Sequence, residues 1–224
     1  MTAHRVALGV VLVMMAGVLA PAARGHGPDH VSLAAAGERW WTTSPDPANP
    51  VACATCHHDR AETRGWAASF PKFKPQPPPH ARVMTLFQAN AEAVRRHYRL
   101  VDPRPVATAI TAYLTTHGAG VPLSPGVVAG QPVFPARLRA LGESGARGRR
   151  LYARRCATCH AAPAIVLAVA AFPRGRGHSA ESLEDFLDRH ASPRGRLPWD
   201  SPAMADVISY LVAERAGGFP KEDP

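Results

Sequence analysis

The sequence has few cysteines, few acidic residues and no long apolar segment after its first 19 residues. Only four cysteines occur in 224 residues, which is few for the disulfide framework of an exported chain of this length. Acidic residues number 17 against 26 basic ones, so the net charge of +9 favours an acidic partner or surface. A membrane span needs about 20 apolar residues, and no later segment supplies them, so we expect no membrane span in the mature chain.

The N-terminal segment has the pattern of a secretory signal peptide. His4 and Arg5 precede an apolar run from Val6 to Leu19, and small residues follow it. The run is short for a membrane span, which favours cleavage over a retained anchor. We therefore assign residues 1–23 to a signal peptide, and we expect export to the periplasm and no nucleic-acid partner.

All four cysteines lie in two copies of the pentapeptide CATCH, at residues 53–57 and 156–160. A Cys-x-x-Cys-His sequence is the attachment site of a c-type haem. The two thiols form thioether bonds to the porphyrin, and their spacing places both sulfurs on one side of a single helical turn. The histidine is then the proximal ligand of the iron. We expect two covalently attached haem c groups, anchored by Cys53, Cys56, Cys156 and Cys159, with His57 and His160 on the irons.

Two other uses of these cysteines remain as alternatives. A zinc site would require the two pentapeptides to converge on one metal, although each stands in its own part of the chain. A disulfide or a thiol redox pair would leave the histidine unexplained at the same place in both copies.

The sequence around the pentapeptides is repeated as well. GERWW (37–41) precedes the first copy, with a proline-rich insertion in between, and GRRLY (148–152) precedes the second. Each copy ends in a segment of helical periodicity that closes on glycine. The pattern predicts an all-α fold with two tandem domains at residues 30–120 and 143–218, joined by a linker rich in proline and glycine at 121–142.

These residues resemble two families. Gly148, Tyr152, the second CATCH and a closing helix with Tyr210 are similar to class I cytochrome c domains, in which the first and last helices cross and an aromatic residue packs at the crossing. The resemblance implies that Gly37 lets Trp41 and Tyr113 approach closely in the first domain. The first copy, followed by AYLTTHGAGVPL, also resembles the diheme cytochromes of periplasmic sulfur oxidation, the SoxA type. Those proteins use cysteine as distal iron ligand, and this chain has none left, so the resemblance implies the architecture and the haems but not the thiosulfate chemistry.

The residue on the other side of each iron governs what a haem site can do. Methionine raises the potential, histidine lowers it, and an open face permits ligand binding or catalysis. His97 and His190 each follow an arginine on a short predicted helix, at equivalent positions of the two copies. We predict these two histidines as distal ligands, with Met84, Met204, His80 and His178 as the alternatives.

The whole pattern predicts a periplasmic diheme cytochrome c that carries single electrons between redox proteins, some with acidic docking surfaces. No nucleophile or acid–base constellation indicates an enzyme, so a carrier is favoured over a catalyst. The alternatives are a catalytic or ligand-binding haem subunit acting on a sulfur compound, oxygen or peroxide, and a sensor of small gases. Arg149, Arg150, Arg154 and Arg155 are candidate contacts for haem propionates or for a partner.

Overall fold

A computed structural model describes residues 28–75, 81–160, 172–176, 179–190 and 195–219. The predicted signal peptide, His80 and His178 lie outside these residues. We call residues 28–120 the N-terminal half and residues 135–219 the C-terminal half. The helices of the N-terminal half are α1 (Pro28–Thr42), α2 (Cys53–Cys56), α3 (Arg60–Arg64), α4 (Trp66–Ser69), α5 (Leu86–Tyr98) and α6 (Arg104–His117). Those of the C-terminal half are α7 (Pro135–Arg155), α8 (Leu183–Arg189) and α9 (Pro202–Ala216).

Each half also contains one antiparallel hairpin of two short strands. In the first half β1 (Lys72–Lys74) pairs with β2 (Arg82–Met84), and in the second β3 (Arg174–Arg176) pairs with β4 (Ser179–Glu181). The described chain is therefore mainly helical, as predicted, but the hairpins were not predicted. Strands of three residues are too short to give a period-two signal in the sequence.

In both halves the first long helix crosses the last one at a glycine. A Cβ atom on Gly37 would lie 1.9 Å from the Ala109 carbonyl oxygen in α6. A Cβ atom on Gly148 would lie 1.8 Å from the Asp206 carbonyl oxygen in α9. Only a residue without a side chain permits these backbones to come so close, as the resemblance to cytochrome c domains implied for Gly37.

Aromatic side chains pack beside each crossing. The ring centroids of Trp41 and Tyr113 are 5.9 Å apart, and those of Tyr152 and Tyr210 are 5.3 Å apart. The predicted inward faces of the closing helices are buried at their aliphatic positions, whereas Tyr113 and Tyr210 are only half-buried. These aliphatic positions are Val106, Ile110, Leu114, Val207, Ile208 and Leu211.

The two halves pack on each other reciprocally. The hairpin of the N-terminal half lies against α7 and α9, and the hairpin of the C-terminal half lies against α1 and α6. The side-chain amide of Gln88 in α5 donates to the carbonyl oxygens of Trp199 and Ser201, at 2.9 and 3.1 Å. Phe87 packs edge-on against Trp199, with ring centroids 5.6 Å apart. A buried polar and aromatic contact thus joins the halves.

The predicted linker at 121–142 is wrong in its C-terminal part, because helix α7 already begins at Pro135. Residues upstream of Pro135 are irregular, as their glycines and prolines predict, but they are attached to the N-terminal half. The N–H groups of Ser124 and Gly126 each donate to a carbonyl oxygen, of Ala68 and Ser69 respectively, at 2.9 Å. The prediction failed because the start of α7 contains Pro135 and Gly142, which resemble linker composition.

Candidate cofactor sites

Both CATCH pentapeptides form the same closed turn. The N–H of His57 donates to the carbonyl of Cys53 at 2.9 Å, and the N–H of His160 donates to that of Cys156 at 3.0 Å. The first turn is the whole of α2, and the second follows the end of α7 at Arg155. All four cysteines are free thiols, with Cys56 and Cys159 exposed.

The first pentapeptide borders a cavity of about 410 Å³, within the ~300–1,000 Å³ that small-molecule and cofactor sites occupy. One face of α5 lines it, because Ala89, Ala93 and His97 are spaced four apart and so lie on one side of the helix. Ala89 and Ala93 have small side chains and so leave space on this face of α5, next to His97. The cavity is also lined by both thiols, by His57 and by the aromatic and aliphatic side chains of Trp41, Trp66, Phe70, Leu86 and Ile110.

Aromatic rings surround His57. Its ring centroid lies 4.8 Å from that of Trp66 in an edge-to-face arrangement and 6.0 Å from that of Trp41. Burial lowers the pKa of His57; Glu62 opposes this shift, and Lys74 and His97 reinforce it. The imidazole is therefore held neutral, which is the form that binds a metal. The sequence did not predict Trp66 as a site residue, because nothing in its local pattern indicates that it packs against His57.

Tyr98 fixes the first anchoring cysteine. Its hydroxyl donates to the Trp40 carbonyl at 2.7 Å and accepts from the N–H of Cys53 at 3.3 Å. The Cys53 sulfur lies at the same 3.3 Å from this hydroxyl. Burial raises the pKa of the Cys53 thiol, and the Tyr98 hydrogen bond partly offsets the rise. Tyr98 was also missed from the sequence, although it directly follows the predicted ligand His97.

In the second site the proximal and predicted distal histidines face each other. The ring centroids of His160 and His190 are 5.7 Å apart, at an interplanar angle of 46°. Metal–imidazole bonds are about 2 Å long, so two rings at this separation could both hold one metal ion placed between them. Phe186 stacks on His190 with centroids 5.1 Å apart, and the Tyr152 hydroxyl donates to the His160 carbonyl at 2.7 Å.

His97 and His190 are not at equivalent positions, contrary to the prediction. Thr85 caps α5 and Ser182 caps α8, and counted from these caps His190 corresponds to Ala93, one turn before His97. Helix α8 ends at Arg189, and His190 is its C-cap residue. Positions one turn apart lie on the same side of a helix, so the shift changes the register more than the direction.

The two alternative methionine ligands do not share this placement. Met84 in β2 and Met204 in the first turn of α9 are fully buried, and Met204 belongs to the apolar core of the C-terminal half. Neither methionine lines the cavity beside Cys53. Across the described part of the chain, no three His, Cys, Asp or Glu side chains are grouped as a zinc site requires.

The residues present fit two covalently attached haems. Each site offers two free thiols on one turn and an adjacent imidazole. The first has a cavity of suitable size, and the second has a facing pair of imidazoles. None of the described helices combines the length and the apolar character needed to cross a bilayer. Neither the models of known protein families nor the curated protein sequences give a match to this chain.

Proposed function

We propose that this chain is a diheme c-type cytochrome with two tandem cytochrome c-like domains, which carries single electrons between proteins of the periplasm. The observation that carries the proposal is the closed CATCH turn in both halves, with a second histidine 5.7 Å from His160 in one of them. The repeated glycine crossing and the reciprocal packing of the halves support the tandem arrangement. The leader-like pattern at 1–23 supports export.

When bound, haem would supply one-electron chemistry through its ferric and ferrous states. The chain's own residues hold and orient its ligands. The Tyr98 and Tyr152 hydroxyls fix the backbone of the two pentapeptides, and Asn49 donates to the His97 carbonyl at 2.8 Å. Trp41 and Trp66 pack beside His57, and partial burial lowers its pKa and favours a neutral imidazole. Such surrounding contacts set ligand orientation and basicity.

The surface beside the second pentapeptide suits an acidic partner. Arg149, Arg150 and Arg154 are exposed on the last turns of α7, directly before the thiols. Exposed charges of one sign steer a partner of opposite sign and raise its association rate more than its affinity. Since electron transfer needs brief encounters, this type of surface agrees with a carrier.

The proposal is tested on the purified holoprotein. We expect two haems per chain by mass, low-spin ferric spectra for both, and no carbon monoxide binding by the reduced form. His190→Ala should convert one haem to a high-spin form that binds carbon monoxide, and His97→Ala should do the same to the other. His58→Ala is the matched control, because His58 is exposed and adjoins a proximal ligand without facing it. Unchanged spectra in both ligand variants would refute the distal assignment, and a chain without haem would refute the function.

One observation favours the alternative of a ligand-binding haem subunit. Lys72 and Lys74 line the first cavity together with His57 and His97. Burial lowers the pKa of Lys72 to about 8, and its ammonium group donates to the Ser69 hydroxyl at 3.0 Å. A cation at this place suits an anionic ligand as well as a haem carboxylate. Carbon monoxide binding by the unmodified reduced protein would favour this alternative over the carrier.

A further inference from the structure

A buried carboxyl group joins the two halves. Glu184, in the first turn of α8, is 4% exposed, and its carboxylate accepts a hydrogen bond from the Thr85 hydroxyl. Thr85 in turn caps α5 by accepting the Gln88 N–H at 3.1 Å. The start of α5 is therefore tied to the start of α8 through an ionisable side chain.

Among the residues that the structure describes around the Glu184 carboxylate, none carries a charge that would pair with it. A cavity of about 130 Å³ adjoins it, and the residues facing the cavity from α5, α6 and α9 are Thr85, Leu86, Phe87, Thr111, Thr115, Ile208 and Val212. The other lining residues, from the segments before the hairpins and from α8, are Phe70, Pro71, Phe172, Pro173 and Leu183. Among all of them only Glu184 is ionisable. The neighbouring Asp185 is directed to Ser182 and to Arg104, which lies 3.7 Å away.

This environment makes the protonation of Glu184 sensitive to small electrostatic changes. Burial raises its pKa to about 7; the Thr85 hydrogen bond lowers it and Asp185 adds to the rise. Both protonation states are thus accessible near neutral pH. Thr115 is partly exposed and lines the same cavity, so protons have a path to solvent.

The two helices that Glu184 joins carry the two predicted distal ligands. α5 contains His97, and His190 caps the C-terminus of α8, six residues after Glu184 and about 9 Å further at the helical rise per residue. A charge at this separation in a partly dry interior is weakly screened. A negative carboxylate stabilises a ferric iron relative to a ferrous one, whereas a neutral carboxyl does not.

We propose that Glu184 is a redox-linked proton site shared by the two halves. A one-electron donor protein reduces the iron held by His160 and His190 from ferric to ferrous, and Glu184 takes one proton from water. On oxidation by the acceptor, the iron loses the electron and Glu184 returns the proton. The added electron is balanced by the added proton, so the buried interface gains no net charge. The proposal rests on the proposed function as a diheme carrier.

Potentiometric titration of the holoprotein over a range of pH tests the proposal. We expect the redox equilibrium of one haem to change with pH around neutrality, approaching tenfold per pH unit, which is 59 mV for one electron, if the coupling is complete. Glu184→Gln should abolish this dependence. Asp185→Asn, the adjacent acidic residue of the same helix, should retain it. A pH dependence that survives in Glu184→Gln would overturn the proposal.

A measurement on the unmodified protein makes the test independent of how well the variant folds. The infrared difference spectrum between the reduced and oxidised forms at about neutral pH should show a protonated carboxyl band that appears on reduction and shifts in heavy water. Absence of the band would overturn the proton site while two intact haems still supported the carrier. A chain with no haem would overturn both, so the two failures are distinguishable.

Discussion

The glycine at the crossing of α7 and α9 allows a sharp test of the fold. In Gly148→Ala the new Cβ atom would lie 1.8 Å from the Asp206 carbonyl oxygen and 3.0 Å from the Tyr210 Cβ atom. Real Cβ contacts stay above 3.0 Å, so the helices would have to separate by more than 1 Å against main-chain atoms. This separation would loosen the Tyr152–Tyr210 contact, for which the ring centroids are now 5.3 Å apart.

The two contributions to stability have opposite signs and unequal size. Alanine gains about 1 kcal/mol over glycine in a helix interior. Overpacking costs about 1–3 kcal/mol where side chains can yield, and more where the neighbour is backbone. We therefore expect Gly148→Ala to lower the free energy of unfolding by about 3 kcal/mol. Gly142→Ala, in the same helix with nothing within 4 Å of its Cβ position, should raise it by up to about 1 kcal/mol.

Urea unfolding of both variants, followed by circular dichroism, measures the difference directly. The unfolding midpoint of Gly148→Ala should fall clearly below that of the unmodified protein, and that of Gly142→Ala should match or exceed it. If Gly148→Ala were as stable as Gly142→Ala, the close crossing described above would be wrong.

Two further predictions concern buried polar groups. Burial raises the pKa of Glu184 from 4.5 to about 7, so the folded protein binds this proton more tightly than the unfolded chain. The resulting stabilisation is fully present below about pH 4.5 and is lost as the pH rises through 7. In chemical denaturation, the free energy of unfolding of Glu184→Gln should rise by about 3 kcal/mol relative to that of the unmodified protein between these pH values. A difference in unfolding free energy that stays constant with pH would contradict the raised pKa of Glu184. Tyr98→Phe removes the hydrogen bonds to Trp40 and Cys53 and should cost about 1–2 kcal/mol in thermal unfolding, whereas Tyr113→Phe serves as the matched aromatic change. Equal melting temperatures for these two tyrosine variants would count against a structural role of the Tyr98 hydroxyl.

The features that were predicted from the sequence depend on residues close together in the chain or on a repeated spacing. Each CATCH turn is closed by a hydrogen bond between residues four apart, so its conformation is encoded locally. The periodic apolar residues of α6 and α9 predicted their buried faces. The helix crossings were implied by the resemblance to class I cytochrome c domains, which rests in part on Gly37 and Gly148 with an aromatic residue four positions later.

The errors arose where local composition and tertiary packing disagree. Pro135 and Gly142 made the start of α7 resemble a linker, since composition alone does not distinguish a proline or glycine in a helix from one in an irregular segment. The repeated Arg-His pair suggested equivalent positions, but counted from the helix caps the pair lies one turn earlier in α8 than in α5. The sequence pattern therefore identified the pair and missed its register.

The sequence by itself determined the two thiol pairs with their adjacent histidines, because the chemistry of Cys-x-x-Cys-His lies within five consecutive residues. Only the tertiary structure decided which side chains meet across the halves. The hydrogen bond from Thr85 to Glu184 spans 99 positions, and the contact between Gln88 and Trp199 spans 111. Such pairs leave no local pattern, since neither partner is near the other until the hairpins have packed on the opposite helices. The placement of the Glu184 carboxyl between the two halves is therefore a result of tertiary folding, whereas the pentapeptides are recognisable from the local sequence.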